Sequence, residues 1–141
     1  MREMRISKRK YDMVRLNAPI AGVELIIHKD KQVLVGRRTI SPGKGKWALI
    51  GGRILKGEKM IDAVRRTALS ETGLAIRIEK QVGITECFFR KYHYITIEFL
   101  VSPTDNTPIK LDFQHSEYKW VNSGECLFEI RAREIVEKCL I

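Results

Sequence analysis

Gly52-Arg-Ile-Leu-Lys-Gly-Glu58, seven intervening residues, and then Arg66-Thr-Ala-Leu-Ser-Glu71-Thr-Gly73-Leu74 decide how this chain is read. From Glu58 to Thr72 the spacing predicts a helix. Met60, Ile61, Val64, Ala68 and Leu69 recur three and four residues apart and would form one apolar face. Glu58 and Asp62 place carboxylates in the first turns, where the helix dipole favours them, and Gly73 ends the helix. A glycine turn that runs into such a helix offers backbone N–H groups and aligned dipoles to an anionic ligand. Positions 67, 70 and 71 are three and four apart, so Thr67, Ser70 and Glu71 are expected to share one surface patch with a single carboxylate. Upstream, Trp47-Ala-Leu-Ile-Gly51-Gly52 reads as a short buried strand entering the turn.

This stretch resembles the Nudix box, G-x5-E-x7-R-E-U-x-E-E-x-G-U, in which U is aliphatic. Gly52, Glu58, Arg66, Glu71, Gly73 and Leu74 fall in register, whereas Thr67 and Ser70 stand where the pattern has glutamates. Ile50 stands where the family often has a proline before its paired glycines. A complete carboxylate set would hold two or three hard divalent cations against a pyrophosphate and activate water for attack at phosphorus. Its loss implies either an inactive box or a different mechanism. Leu111-Asp-Phe-Gln114-His115-Ser-Glu-Tyr118-Lys-Trp120 is similar to the corresponding segment of GDP-mannose mannosyl hydrolases, a Nudix branch that lacks the same two glutamates. The likeness extends to an N-terminal basic helix ending at Pro19, to Gly36-Arg-Arg38-Thr39, to the segment from Pro42 to Trp47, and to Gly51-Gly52-Arg53.

The resemblance implies that the carbonyl of Gly51, the carboxylate of Glu71 and the amide oxygen of Gln114 bind one Mg²⁺, for which Mn²⁺ substitutes. It implies that His115 is the general base, since a neutral imidazole can take a proton from water near neutral pH. Water would attack the anomeric carbon of a nucleotide sugar such as GDP-mannose or GDP-glucose, and Arg38 and Arg53 would hold the leaving diphosphate. Glu24 takes the place of an acidic residue on the first strand, and Tyr94 is either a substrate contact or a strand residue packed on the core. Gly52, Glu58, Arg66 and Gly73 organise the loop and helix. Related hydrolases are homodimers whose N-terminal regions join the site, so Arg5, Ile6 and Arg9 are further candidates for substrate contact. Taken singly, His115 also fits a solvated loop histidine, Gln114 is uninformative, and Arg38 fits a solvated strand end; their joint occurrence in this order favours function. Cys87 to Tyr94 makes a short basic turn where that branch has a longer acidic insertion, which leaves the hexose and the base open.

The remainder bounds the answer. The 141 residues, 44% of them hydrophobic, suit one Nudix domain over 1–141, with a basic helical arm over 1–18 and the box over 52–74. No apolar run approaches the about 20 residues of a membrane helix. The first ten residues lack a signal peptide's apolar core, and Cys87, Cys126 and Cys139 follow no ligand spacing, which suits reduced thiols in the cytoplasm. The order of elements predicts an α/β Nudix fold, a mixed sheet sandwiched between helices (α/β/α). Hairpins are expected over Ala21 to Arg37 and Ile76 to Val101, with a closing helix from Ile130 to Leu140. The net charge is +9, and six basic residues against two acidic ones in the first fifteen suit an electrostatic funnel, RNA contact or a solubilising arm. Absence of interleaved aromatics disfavours nucleic acid. Two other functions compete with sugar release. One is an ordinary pyrophosphatase that recruits a carboxylate from Glu86, Glu98 or Glu117. The other is a nucleotide- or RNA-binding module without turnover.

Overall fold

The structure, a computed structural model, describes residues 6–41, 43–122, 125 and 133–139. Ser7 caps α1 (Lys8–Asn17), its hydroxyl accepting the Lys10 N–H at 3.3 Å. β1 (Ile20–Lys29) and β2 (Gln32–Arg38) form the first expected hairpin. Asp30 and Lys31 close it with φ of 53° and 61°, the left-handed pair that suits the twist of a two-residue hairpin turn. β3 (Trp47–Arg53) leads into α2 (Met60–Thr72), followed by the long pair β4 (Ile76–Phe89) and β5 (Tyr92–Pro103), then β6 (His115–Val121) and α3 (Arg133–Cys139). The strand order is β4-β5-β1-β3-β2-β6. β1 and β5 run parallel and the other neighbours antiparallel, so the sheet is mixed as expected.

One topological detail creates the site. β1 and β2 pair with each other only beside their turn, at His28↔Val33 and Lys29↔Gln32. Farther on β3 lies between them: Trp47, Ala48 and Leu49 pair with β2, whereas Ile50, Gly51, Gly52 and Arg53 pair with β1. The paired glycines thus lie where β3 has left β2 for β1. Two cores flank the sheet. Val23, Leu25, Ile27, Leu34, Ile50 and Phe99 meet Ala63, Val64 and Ala68 of α2, while Ile26, Val33, Val35, Leu49 and Leu100 meet Val136 of α3. β1 is therefore buried on both faces, which explains its unbroken apolar run from Leu25 to Ile27.

The box helix differs from its expected face. Val64 and Ala68 are buried, but Met60, Ile61 and Leu69 are 43%, 43% and 62% exposed. Ala63, Val64, Thr67, Ala68, Glu71 and Thr72 face inward instead, because small side chains let the helix approach the glycines of β3. Thr67 and Glu71 consequently point in together while Ser70 points out, so the expected three-residue patch is a two-residue one. The helix starts at Met60, two residues after Glu58, whose carboxylate serves the loop. Of the predicted closing helix, 133–139 are helical, and its expected ends at Ile130 and Leu140, like Cys126 and Arg5, lie outside the described residues. No helix among the described residues is long and apolar enough to cross a membrane.

Candidate active site

Gly73 stops α2 in the left-handed region (φ 73°) and donates its N–H to Leu69 at 2.9 Å. The next carbonyl matters for the site: Thr72 O accepts the Lys110 N–H at 2.8 Å, which draws the segment before β6 against the end of α2. Thr39 ties the same segment to the end of β2, its N–H donating to Gln114 O at 2.9 Å and its hydroxyl to Phe113 O. Gln114 and His115 are thereby held beside Glu71 and Arg38.

Glu71 is 3% exposed. Burial, with the Asp112 carboxylate adding to it, pushes its pKa up to about 8 despite Arg38, Arg66 and a hydrogen bond from Gln114. Its Oε2 has no hydrogen-bond partner among the described residues, nor does Thr67 Oγ1 one turn earlier. The two guanidinium groups leave a carboxylate so placed under-compensated, and a hard divalent cation would supply the missing charge. Gln114 completes the donor set. Asp112 Oδ1 accepts its backbone N–H at 3.0 Å, and Asp112 Oδ2 accepts from Nε2 at 3.1 Å. With the amide hydrogens turned to carboxylates, the amide oxygen is the atom a cation would take. Among the described residues no three His, Cys, Asp or Glu side chains cluster as metal ligands, so a cation here would rely on carbonyl and amide oxygens.

His115 is 4% exposed, and neither ring nitrogen has a hydrogen-bond partner among the described residues. Nδ1 lies 3.9 Å from Asp112 Oδ1, beyond hydrogen-bond reach. Burial lowers its pKa from 6.5, Arg38 lowers it further, and Asp112 opposes both. The imidazole is therefore neutral at pH 7. Its seat is Gly36: a Cβ there would lie 2.6 Å from His115 Cδ2 and 3.0 Å from Cγ.

Glu58 and Arg66 hold the box loop. The guanidinium makes two hydrogen bonds to the Glu58 carboxylate, at 2.8 and 3.0 Å, and a third to Arg53 O at 2.8 Å, while Glu58 Oε1 accepts the Leu55 N–H. Gly52 admits Thr67, whose Oγ1 would be 3.0 Å from a Cβ at that glycine. At Gly51 a Cβ would meet Val23 O at 2.7 Å and Glu24 Cγ at 3.1 Å.

The other candidates form a second group on the sheet. Alternation along β1, β3 and β5 puts Glu24, Gly51, Arg53, Tyr94 and Glu98 on the face opposite α2. Glu24 and Glu98 are register partners and buried. Helix α1 lies on this face within the same chain. Tyr11 stacks on the Arg53 guanidinium (4.4 Å), Arg15 stacks on Tyr92 (4.2 Å), and Arg15 hydrogen-bonds Tyr94. Ile6 and Arg9 are exposed and lie apart from these contacts. Of the carboxylates considered as replacements, Glu86 binds His93 at 2.8 Å and Glu117 pairs with Arg37 at 3.3 Å. Sequence reading missed Asp112, Tyr11 and the seat at Gly36. Asp112 had a signal, since an aspartate two residues ahead of Gln114 can bond that residue's N–H.

The NUDIX domain profile matches residues 18–139. The chain belongs to the NUDIX family. Its Nudix box is the loop and helix just described. The chain is 32% identical over 123 residues to the low-salt glycan biosynthesis protein Agl8 of Haloferax volcanii, spanning 82% of this chain and 78% of that protein. It is 35% identical over 99 residues to an ADP-ribose pyrophosphatase of Methanocaldococcus jannaschii, covering 68% of this chain and 59% of that one. Among solved structures, a MutT protein from Methanosarcina mazei superposes with a TM-score of 0.75 at 26% identity over 86% of this chain and 94% of its own. A Burkholderia pseudomallei MutT Nudix hydrolase gives 0.73 at 20% identity, over 86% and 98%, and supports the fold.

Proposed function

We propose that this Nudix hydrolase cleaves nucleoside-diphosphate sugars, GDP-mannose or GDP-glucose foremost, by attack of water on the anomeric carbon. The observation that carries the proposal is the pairing of a box reduced to one inward carboxylate, Glu71, with a buried neutral histidine, His115, that shares Arg38 and Asp112 as its charged neighbours. One carboxylate is too few to assemble the multi-cation site that activates water at phosphorus. An imidazole with both nitrogens unengaged among the described residues can do the work of a base instead.

In this mechanism His115 takes a proton from water as the water oxygen bonds to the sugar carbon. The carbon–oxygen bond to the diphosphate breaks, its electron pair leaves with the nucleoside diphosphate, and the configuration inverts. Glu71, Gln114 and the Gly51 carbonyl would hold one Mg²⁺, or Mn²⁺, which supplies positive charge to the departing diphosphate. Arg38, close enough to depress the His115 pKa and draw down that of Glu71, offers a planar guanidinium to the same oxygens. Arg53, from the opposite face of the sheet, is assigned to the same diphosphate, as the resemblance implies, and Tyr94 to the remainder of the substrate. The resemblance of the Gln-His segment supports this reading, as does the glycan biosynthesis named for the Haloferax relative. The exposed Met13, Val14 and Leu16 on α1 suit a homodimer.

Cleavage between the phosphates is the second reading, favoured by the name of the Methanocaldococcus relative. A screen of GDP-mannose, GDP-glucose, ADP-ribose and nucleoside triphosphates with Mg²⁺, resolved by chromatography, tests the choice. GDP plus free hexose is expected; GMP or AMP as the nucleotide product would select the second reading.

A further inference from the structure

Helix α1 has no buried residue. It meets the sheet through Tyr11 and Arg15. The Tyr11 ring lies 4.4 Å from the Arg53 guanidinium carbon and 5.7 Å from that of Arg15. Arg15 in turn sits over Tyr92, hydrogen-bonds Tyr94, and is neutralised within the helix by Asp12 Oδ1 at 3.1 Å. The interlocked rings and guanidinium groups join α1 to the last residue of β3 and the first residues of β5. Arg53 is fixed from both ends: its carbonyl accepts from Arg66, and its side chain rests on Tyr11.

A guanidinium stacked on a ring keeps its N–H groups in the plane of its edge. Tyr11 thus removes the freedom of the Arg53 head group without consuming the donors that phosphate oxygens need. An unstacked arginine on the same strand would sample many rotamers and lose entropy when it gripped an anion.

Resting on the assignment of Arg53 to the diphosphate, we propose that Tyr11 is a positioning residue: its ring presets the Arg53 guanidinium for the nucleotide within one chain. The basic arm then acts through an aromatic residue of its helix, in addition to its charge.

Titration calorimetry with GDP and Mg²⁺ tests this on the full chain. Tyr11→Leu is expected to weaken GDP binding by about 3- to 30-fold, the span of a cation–π contact from exposed to desolvated settings. Tyr11→Phe keeps the ring and should bind as the wild type does. In an Arg53→Ala background, Tyr11→Leu should add no further loss. If Tyr11→Leu binds GDP normally while Arg53→Ala weakens it, the inference fails and the diphosphate assignment stands. If Tyr11→Leu costs as much in the Arg53→Ala background as in the wild type, Tyr11 merely anchors α1 and the inference also fails. Wild-type affinity in Arg53→Ala would overturn the diphosphate assignment itself, and the inference with it.

Discussion

Replacing His115 with alanine lowers kcat by about 10²–10⁴-fold, the usual worth of a positioned general base, and leaves GDP and Mg²⁺ affinity unchanged. The expectation follows from where the ring sits. It is buried, its nitrogens are unengaged among the described residues, and burial keeps it neutral. Gly36→Ala reaches the same atom from behind. A methyl group there, 2.6 Å from Cδ2, must push the ring aside, and a shift of about 1 Å in a reacting group can cost roughly 10²-fold in rate. The pH profile gives a further check. Since the folded pKa is depressed, the acid limb of kcat/KM lies below the ordinary value of 6.5. A neutral imidazole favoured by folding also means that stability falls as the pH drops below 6.5. Steady-state kinetics showing both variants at wild-type rates would remove His115 from the reaction.

Glu71 carries the second large effect. Its folded pKa, about 8, stands above the ordinary 4.5, so between those values the unfolded chain releases a proton that the folded one keeps. The unfolded state then binds fewer protons, and the stability of the metal-free protein falls as pH rises through this window. The slope is at most about 1.4 kcal/mol per pH unit. Glu71→Gln should abolish that contribution and unfold less readily than metal-free wild type at pH 8. The same substitution should weaken Mg²⁺ binding beyond the roughly 10–100-fold that loss of an outer-sphere partner costs. At pH 7 the wild type is expected to release a proton when Mg²⁺ binds, seen as a dependence of calorimetric heat on buffer ionisation enthalpy. No proton release, with Mg²⁺ affinity intact in Glu71→Gln, would place the cation elsewhere.

The extent to which sequence foretells this structure depends on the range of the forces involved. Asp30-Lys31 and Gly73 are local decisions of backbone conformation, and the hairpin and helix end fall where expected. Glu58 and Arg66, expected to organise the loop and helix, form an ion pair across eight residues because loop and helix fix their separation. The inward face of α2 is different. Periodicity favours Met60, Ile61 and Leu69, but the glycines of β3 admit a close approach only to Thr67 and its small neighbours. Glu71 and Thr67 are drawn inward by that contact, which no helical spacing reveals. Similarly, the proximity of Gln114 and His115 to the box depends on Thr72 O and Thr39, two anchors distant in sequence. The docking of α1 rests on Tyr11 and Arg15, which in the sequence look like ordinary members of a charged arm. Glu24 on β1 and Arg53 on β3 fall on the face opposite α2 because strand register, which only the pairing defines, sets which alternate residues share a face.

Attack at carbon is the central claim, and a turnover of GDP-mannose in ¹⁸O-enriched water with Mg²⁺ tests it most directly. Mass spectrometry of the products should find the label in the free hexose and none in GDP. Label in a phosphate, with GMP as the nucleotide product, would contradict the account and return the box to cleavage between phosphates.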